Sequence, residues 1–210
     1  MSAIRHIFFD LGGVLATNGW DRDQRRVAVE RFNLDAREFQ SRHEEMVAPL
    51  EQGQISLDEY LDITVFHEGR EFTKQEFRDF IFAQSKPNPE TISIARSIAE
   101  GCRYWVMTMN NEGEDLNKHR ICTFGLDEFF DAFLSSCWLG LRKPARGFYD
   151  RALGISAARP AESVLIDDRL QNLAPARALG MHTIHFQSTA ALVEELAVLG
   201  VEFNINGNSA

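Results

Sequence analysis

The chain has 210 residues, of which 44% are hydrophobic and 25% charged, and its formal net charge is −9 at pH 7. This length and composition are those of a globular protein with a core of ordinary size. Nucleic acids and anionic membranes bind basic surfaces, so we expect neither as a partner of this acidic chain.

The sequence lacks the features of an exported or membrane-spanning protein. No apolar run reaches the roughly 18–20 residues of a membrane span, and no basic segment precedes an apolar stretch with a cleavage site. The three cysteines, Cys102, Cys122 and Cys137, have no metal-binding spacing. We therefore expect a cytoplasmic protein with free thiols.

The first predicted element is a buried strand over residues 4–9, a short stretch rich in β-branched and aromatic side chains. It ends at Asp10. Residues 21–83 then carry apolar side chains at helical spacing, and Ser56 and Thr73 are typical of helix starts. This segment is predicted to be a block of helices.

The proline-rich segment SKPNPE marks a break, after which predicted strands and helices alternate. The alternation predicts parallel βαβ units and therefore a doubly wound, Rossmann-like α/β sheet. We expect a core of residues 1–16 and 87–210, with a small helical-bundle cap of residues 17–86 inserted after the first strand. The later strands are predicted at residues 103–107, 132–135, 163–166 and 182–186.

Polar residues follow four of the predicted strands: Asp10, Thr108, Lys143 and the pair Asp167-Asp168. Each alone is more often a helix cap, a turn residue or a solvated side chain. Ligands of open parallel sheets, however, bind at the carboxyl ends of the strands. The four positions together therefore predict one site at that edge.

The residue types at this edge suit phosphoryl chemistry. Three carboxylates cannot share a small site without a cation, and Mg²⁺ prefers carboxylate and phosphate oxygens. Lys143 and Thr108 could hold the other oxygens of a phosphoryl group, and an aspartate can attack phosphorus to form an aspartyl-phosphate. The expected partner is a small phosphorylated metabolite.

The segments FFDLGGVL, VMT, RKPARGFY and VLIDD resemble, in this order, the four motifs of the haloacid dehalogenase-like hydrolase superfamily. The segments FDLGGV, EQGQISLDEY and LRKP are similar to a branch with a small helical C1 cap that includes sugar phosphatases such as glucose-1-phosphate phosphatase. The resemblance covers nearly the whole chain.

The resemblance implies a role for each motif residue. Asp10 would be the nucleophile and, with Asp168 and the backbone carbonyl of Gly12, would bind Mg²⁺, while Asp167 would act partly through water. Lys143 would bridge the nucleophile and the phosphate. The phosphoryl oxygens would bind Lys143, Thr108 and the backbone amides of Leu11 and Met109.

The sequence departs from the superfamily pattern at Gly12, where most phosphatases have a second aspartate that protonates the leaving oxygen. Losing a general acid costs about 10²–10⁴ in rate. Three residues are weaker candidates for substrate contact: Trp20, Asn110 and Asn172. Trp20 could instead pack the hinge of the cap, and Asn172 could orient the loop of Asp168.

Three functions are compatible with these residues. The first is a Mg²⁺-dependent phosphatase of small monoesters such as sugar phosphates, acting through an aspartyl-phosphate. The second is a catalytically weak or silent phosphate-binding regulatory module. The third is a 2-haloacid dehalogenase, which needs neither a leaving-group proton nor Mg²⁺ but typically has Tyr at position 12. The sequence leaves open whether the protein is a monomer or a homodimer.

Overall fold

The computed structural model describes residues 3–204, which form a five-stranded parallel sheet with helices on both faces. The order across the sheet places β1 at the centre, as β3-β2-β1-β4-β5. This confirms the predicted doubly wound α/β core. The strands are β1 (His6–Phe9), β2 (Trp105–Asn110), β3 (Ala132–Ser135), β4 (Ser163–Asp167) and β5 (His182–His185).

Four helices between β1 and residue 89 form a helical cap, α1 to α4. They enclose a cluster of buried aromatic and aliphatic side chains, including Phe39, Tyr60 and Phe77, which Leu116 of the core joins. Ser56 and Thr73 cap helices, as predicted, and both form capping boxes, of which only the one at Thr73 was predicted. The cap helices are α1 (Arg22–Arg31), α2 (Ala36–Glu51), α3 (Leu57–Thr64) and α4 (Lys74–Ala83).

The remaining helices pack on the sheet. Buried side chains alternate along β1, so that Ile7 and Phe9 contact one apolar cluster and Phe8 contacts the other. These two clusters are the core of the protein. The core helices are α5 (Pro89–Glu100), α6 (Glu114–Thr123), α7 (Ser136–Leu139), α8 (Arg146–Ile155), α9 (Leu170–Ala178) and α10 (Thr189–Val198).

The two connections between core and cap run side by side. The Thr17 N–H donates to the carbonyl of Lys86 over 2.9 Å, and the Asn88 N–H donates to the carbonyl of Leu15 over 2.8 Å. The cap therefore leaves and re-enters the core at one place. The predicted boundaries at residues 16 and 87 lie in this hinge, and Ala16 and Pro87 form an isolated antiparallel bridge.

Strand β2 differs from its prediction, which placed its end at residue 107. It continues to Asn110 because β3 pairs with the extension, Met109 opposite Leu134 and Asn110 opposite Ser135. Thr108 therefore lies within the strand. The segment after β3, predicted as a loop, begins with the short helix α7.

The cysteines carry free thiols, exposed at Cys102 and Cys122 and buried at Cys137. Between residues 3 and 204, none of the helices combines the length and the apolar character needed to cross a bilayer.

Candidate active site

Three carboxylates meet at the carboxyl ends of the central strands. Asp10 is the first residue after β1, Asp167 is the last residue of β4, and Asp168 follows it. One oxygen from each lies within 4.8 Å of the others. The parallel pairing of β1 with β4 produces this meeting, because it brings both strands to the same edge of the sheet.

Lys143 neutralises two of these carboxylates. Its ammonium lies 2.5 Å from Oδ2 of Asp167 and 3.1 Å from Oδ1 of Asp10, and donates to the carbonyl of Met109 over 2.7 Å. The residue is only 1% exposed. A buried lysine with these three partners bridges β1, β2 and β4.

Asn111 fixes the backbone of Lys143. Its side-chain amide donates to the Lys143 carbonyl and its side-chain oxygen accepts the Lys143 N–H, both over 2.8 Å. The sequence analysis did not assign Asn111 a role. Its place directly after β2 is the only signal that could have indicated it.

Asn172 acts on the site through Asp167. Its side-chain amide lies 3.0 and 3.1 Å from the two oxygens of Asp167, and the backbone N–H of Arg169 donates to Oδ1 over 2.8 Å. Asn172 also lines the cleft, but these bonds hold Asp167 in place. The geometry thus agrees with the orienting role considered for this residue, which it plays through Asp167 rather than Asp168.

Burial and neighbouring charge change the protonation of the cluster. Burial raises the pKa of Asp10 to about 7; Lys143 opposes the shift, and Asp167 and Asp168 add to it. Burial, with Asp167 beside it, also raises the pKa of Asp168. One ammonium is therefore too little cation to keep all three carboxylates ionised.

The turn after Asp10 is shaped by its neighbours. The Leu11 N–H donates to Oδ1 of Asp10 over 2.8 Å, so this amide holds the carboxylate. Gly13 has a positive φ of 80°, and a Cβ at this position would overlap the carboxylate of Asp168. A Cβ on Gly12 would lie 3.2 Å from Oδ1 of Asn18 and 3.6 Å from a guanidinium nitrogen of Arg120.

Arg120 occupies the space next to Gly12. It is 1% exposed, pairs with Glu112 over 3.0 Å, and donates to Oγ of Ser85 and to the carbonyl of Thr17 over 2.8 and 2.9 Å. It thus ties α6 to both sides of the cap hinge. Roles for Arg120 and Glu112 were not predicted from the sequence, because charged residues on a helix or just before it are usually solvated.

Thr108 lies deeper in the sheet than the strand end at which it was predicted. Thr108 has no exposed surface, pairs with Phe9 rather than with Asp10, and lies 3.3 Å from Oδ1 of Asn110. The hydroxyl of Thr108 is thus enclosed by protein. Met109 is likewise fully buried, and its carbonyl accepts from Lys143.

Asn110, predicted to contact substrate, is also inside the protein. Its side chain donates to Asn117 and accepts from Ser135, each over 2.9 Å, and it is 1% exposed. Asn111 and Glu112 line the cleft instead. The reason is the same extension of β2 by pairing with β3 that buries Thr108.

The cap closes the opposite wall of a cleft of about 260 Å³ above Asp10. Trp20 lines it but is held in the cap, because its Nε1–H donates to the hydroxyl of Tyr60 over 2.9 Å and its ring lies edge-on to Phe39 and Phe77. Most of the Trp20 side chain is therefore used in packing the cap. Packing of the cap was the alternative to substrate contact for this residue.

Helix α2 also reaches the cleft. His43 is 4% exposed and Glu51 half-buried, and both line the cleft, whereas Glu44 and Glu45 are exposed. A helix with this many charged residues usually faces solvent, but His43 faces inward because its ring packs against Tyr60.

A family description of haloacid dehalogenase-like hydrolases matches residues 4–180. Bifunctional epoxide hydrolase 2 of Mus musculus is 29% identical over 96% of this chain, which covers 40% of that protein. A sesquiterpene phosphatase of Aspergillus oryzae is 30% identical over 54% of this chain and 58% of its own length. The chain thus spans less than two thirds of these curated relatives.

The fold is also found in solved structures. A haloacid dehalogenase family enzyme of Bacteroides thetaiotaomicron superposes with a TM-score of 0.74 at 19% identity, covering 89% of this chain and 95% of that one. Its complex with magnesium and inorganic phosphate superposes with a TM-score of 0.71 at 19% identity, over 88% and 95% of the two chains. Because the family match extends over most of its length, the chain belongs to the haloacid dehalogenase-like hydrolases and is an enzyme.

Proposed function

We propose that this protein is a Mg²⁺-dependent hydrolase of small phosphate monoesters that acts through an aspartyl-phosphate at Asp10. The observation that carries the proposal is the cluster of Asp10, Asp167 and Asp168, two of which contact the buried ammonium of Lys143. The family and the phosphatase among the relatives support the reaction class.

The donor set suits a hard divalent cation. Oδ1 of Asp168 is buried and has no hydrogen-bond partner among the described residues, although the two other carboxylates lie close by. Asp10, Asp168 and the carbonyl of Gly12 would hold Mg²⁺, with Asp167 acting partly through water. Bound there, the ion would offset the charge of the carboxylates and of the phosphoryl oxygens.

The chain's own residues carry the reaction. An oxygen of Asp10 attacks phosphorus, the bond to the ester oxygen breaks, and Lys143 neutralises the negative charge around the phosphoryl group. Water then attacks phosphorus and releases phosphate and free Asp10.

The leaving group must depart without an acid at position 12. Gly12 has no side chain, and Arg120 and Asn18 border the space where one would lie. Leaving groups of low basicity, such as the anomeric oxygen of a sugar, need the least protonation. The small, mostly polar cleft is consistent with a sugar phosphate as substrate.

Hydrolysis of p-nitrophenyl phosphate with and without Mg²⁺ tests the proposal, because this leaving group needs little protonation. We expect release of nitrophenol that requires Mg²⁺. Asp10→Asn should abolish it while the folded state persists by circular dichroism, and the exposed Asp127→Asn should retain it.

Three outcomes would contradict the proposal. Folded wild-type protein that releases no nitrophenol in Mg²⁺ would be a silent module instead. Halide release from 2-chloropropionate without metal would identify a dehalogenase. A wild-type rate in Asp10→Asn would remove Asp10 from the nucleophilic role.

A further inference from the structure

Arg25 is a buried cation in the cleft that lacks an acidic partner. It lies on α1, is 9% exposed, and donates from Nη1 to the carbonyl of Trp20 over 2.7 Å. Its Nε is buried without a hydrogen-bond partner, and no carboxylate of residues 3–204 forms an ion pair with it. Burying an unpaired charge is costly, so a ligand that supplies the missing acceptor would bind favourably here.

The other cations that line the cleft are all paired. Their ion pairs are Lys143 with Asp10 and Asp167, Arg120 with Glu112, Arg142 with Glu51, and Arg169 with Asp21. Nη1 of Arg142 also lacks a hydrogen bond, but it lies 3.1 Å from the Glu51 carboxylate. Arg25 therefore differs from the other cations in having no ion pair among residues 3–204.

His43 presents a hydrogen-bond donor in the same cleft. Its Nδ1 lies 2.8 Å from the hydroxyl of Tyr60, and that hydroxyl accepts the Nε1–H of Trp20. The tautomer that gives the buried Tyr60 hydroxyl an acceptor has no hydrogen on Nδ1 and carries the imidazole hydrogen on Nε2. No described residue bonds to Nε2, and this atom is not among the enclosed unpaired atoms, so it opens to the cleft.

The imidazole of His43 is neutral near pH 7. Burial, and to a smaller extent the charge of Arg25, lower its pKa to about 4, while Asp21 opposes the shift. Arg25 and His43 both line this cleft. Together they offer donors without a carboxylate of their own, on the cap side of a cleft whose floor holds Asp10.

We propose that Arg25 and His43 form a subsite for a second anionic oxygen group, so that the substrate is a small phosphate monoester that also carries a carboxylate or a second phosphoryl group. This inference rests on the proposed function. A cleft of about 260 Å³ limits such a substrate to a few carbons.

The lining of the cleft supports a polar, doubly charged substrate. Most of the side chains that line it are polar, and the apolar ones are those of Trp20, Val47 and Pro144. Of these, Trp20 is already committed to packing in the cap. A long apolar leaving group would find little surface to bury against.

The test compares three matched substrate series with chains of two to five carbons: alkyl phosphates, ω-carboxyalkyl phosphates and alkane bisphosphates. We expect wild-type kcat/KM in Mg²⁺ to be at least about tenfold higher for one of the two charged series than for the alkyl series. Which charged series is preferred distinguishes a carboxylate from a phosphoryl group.

Variants assign the preference to the subsite. Arg25→Gln should reduce the ratio of charged to alkyl substrates to near one, and His43→Phe should reduce it severalfold. Arg25→Lys should keep part of it. Arg26→Gln, on the same helix but with an exposed side chain, should retain the full ratio. A wild-type ratio near one, or a full ratio in folded Arg25→Gln, overturns the proposal.

A binding measurement separates this proposal from the proposed function. Calorimetry on Asp10→Asn protein, with 3-carboxypropyl phosphate and propyl phosphate as probes, needs no turnover. Tighter binding of the carboxylated probe, lost on adding Arg25→Gln, supports the subsite even if no phosphate is hydrolysed. Equal binding of the probes, with hydrolysis intact, rejects the subsite and leaves the hydrolase.

Discussion

Gly12 and Gly13 are adjacent, but the lack of a side chain serves a different purpose at each. At Gly13 the backbone has a positive φ and the carboxylate of Asp168 lies where a Cβ would be. At Gly12 the missing side chain leaves room that Asn18 and Arg120 border. Gly13 therefore lets Asp168 approach the turn. Gly12 leaves the site without the aspartate that protonates the leaving oxygen in most phosphatases of the superfamily.

Gly13→Ala should weaken Mg²⁺ binding, because the new methyl group would displace Asp168. Gly140 provides a matched control, since its φ is 67° and a Cβ there would meet nothing within 4 Å. Both variants should lose about 1–2 kcal/mol of unfolding free energy through the left-handed backbone. Only Gly13→Ala should also lose the increase in melting temperature that Mg²⁺ gives the wild type.

Comparison with Gly140→Ala shows whether the loss of Mg²⁺-dependent stabilisation is specific to Gly13→Ala. Binding of Mg²⁺ to the native state alone adds about 3 kcal/mol at a hundredfold excess over Kd. If Gly13→Ala keeps that increase, Asp168 tolerates displacement or is not a ligand. If Gly140→Ala also loses it, the loss reports general strain.

For single residues, the sequence predicted the location of those side chains whose position follows from the order of the strands. Asp10, Asp167 and Lys143 lie where the alternation of strands and loops placed them. Thr108 was misplaced because an apolar stretch does not show where pairing stops; β3 decided that β2 continues. Arg25 could not be found, because its surroundings come from segments distant in sequence.

Helix α2 carries two cleft residues with shifted pKa values. The pKa of His43 is lowered and that of Glu51 is raised. Burial lowers the pKa of His43 to about 4 from an ordinary 6.5, and burial raises the pKa of Glu51 to about 7 from an ordinary 4.5. Each shift disfavours the charged form. The stability contributed by α2 therefore has a maximum at intermediate pH.

His43 and Glu51 change the stability of the folded state with pH in opposite directions. Between pH 6.5 and 4 the unfolded chain binds more protons at His43 than the folded one, so stability falls as pH falls through this window. Between pH 4.5 and 7 the folded chain binds more protons at Glu51, so stability falls as pH rises. Arg142 opposes the Glu51 shift, and Glu112 adds to it.

Urea unfolding of single variants at several pH values measures both contributions to the pH dependence of the unfolding free energy. From pH 7 to pH 5 the wild type should lose about 2 kcal/mol more than His43→Gln. From pH 6 to pH 8 it should lose about 1 kcal/mol more than Glu51→Gln. Glu45→Gln, exposed on the same helix, should follow the wild type throughout. Parallel curves for all four proteins would show that neither side chain is shifted.

The helices themselves were largely readable from sequence, since capping signals are local. Ser56 and Thr73 accept the N–H of the residue three positions on, as their capping boxes predict. Helix α7 was missed because it has four residues and no side-chain cap. Which face of α2 meets the cleft depends on the packing of Tyr60 and Trp20, which no local pattern reveals.

For the molecule as a whole, the cap is an insertion closed at one hinge. The Thr17 N–H bonds to the carbonyl of Lys86, and the Lys86 N–H bonds to the hydroxyl of Thr17 over 3.0 Å. Chain ends this close need only a short turn to join them. The sheet and its two apolar clusters contain no residue of the cap helices.

Replacing residues 18–85 with a short Asn-Gly turn should therefore leave a folded core. We expect a cooperative unfolding transition, α/β circular dichroism and Mg²⁺-dependent stabilisation, because Asp10, Lys143 and Asp168 all belong to the core. Selectivity among phosphate esters should be lost with Arg25 and His43. Leu116, which the cap covers, would become exposed, so a second version with Leu116→Ser guards against aggregation. A molten or insoluble product in both versions would show that the core depends on its cap, and that residues 1–16 and 87–210 are not an independent domain.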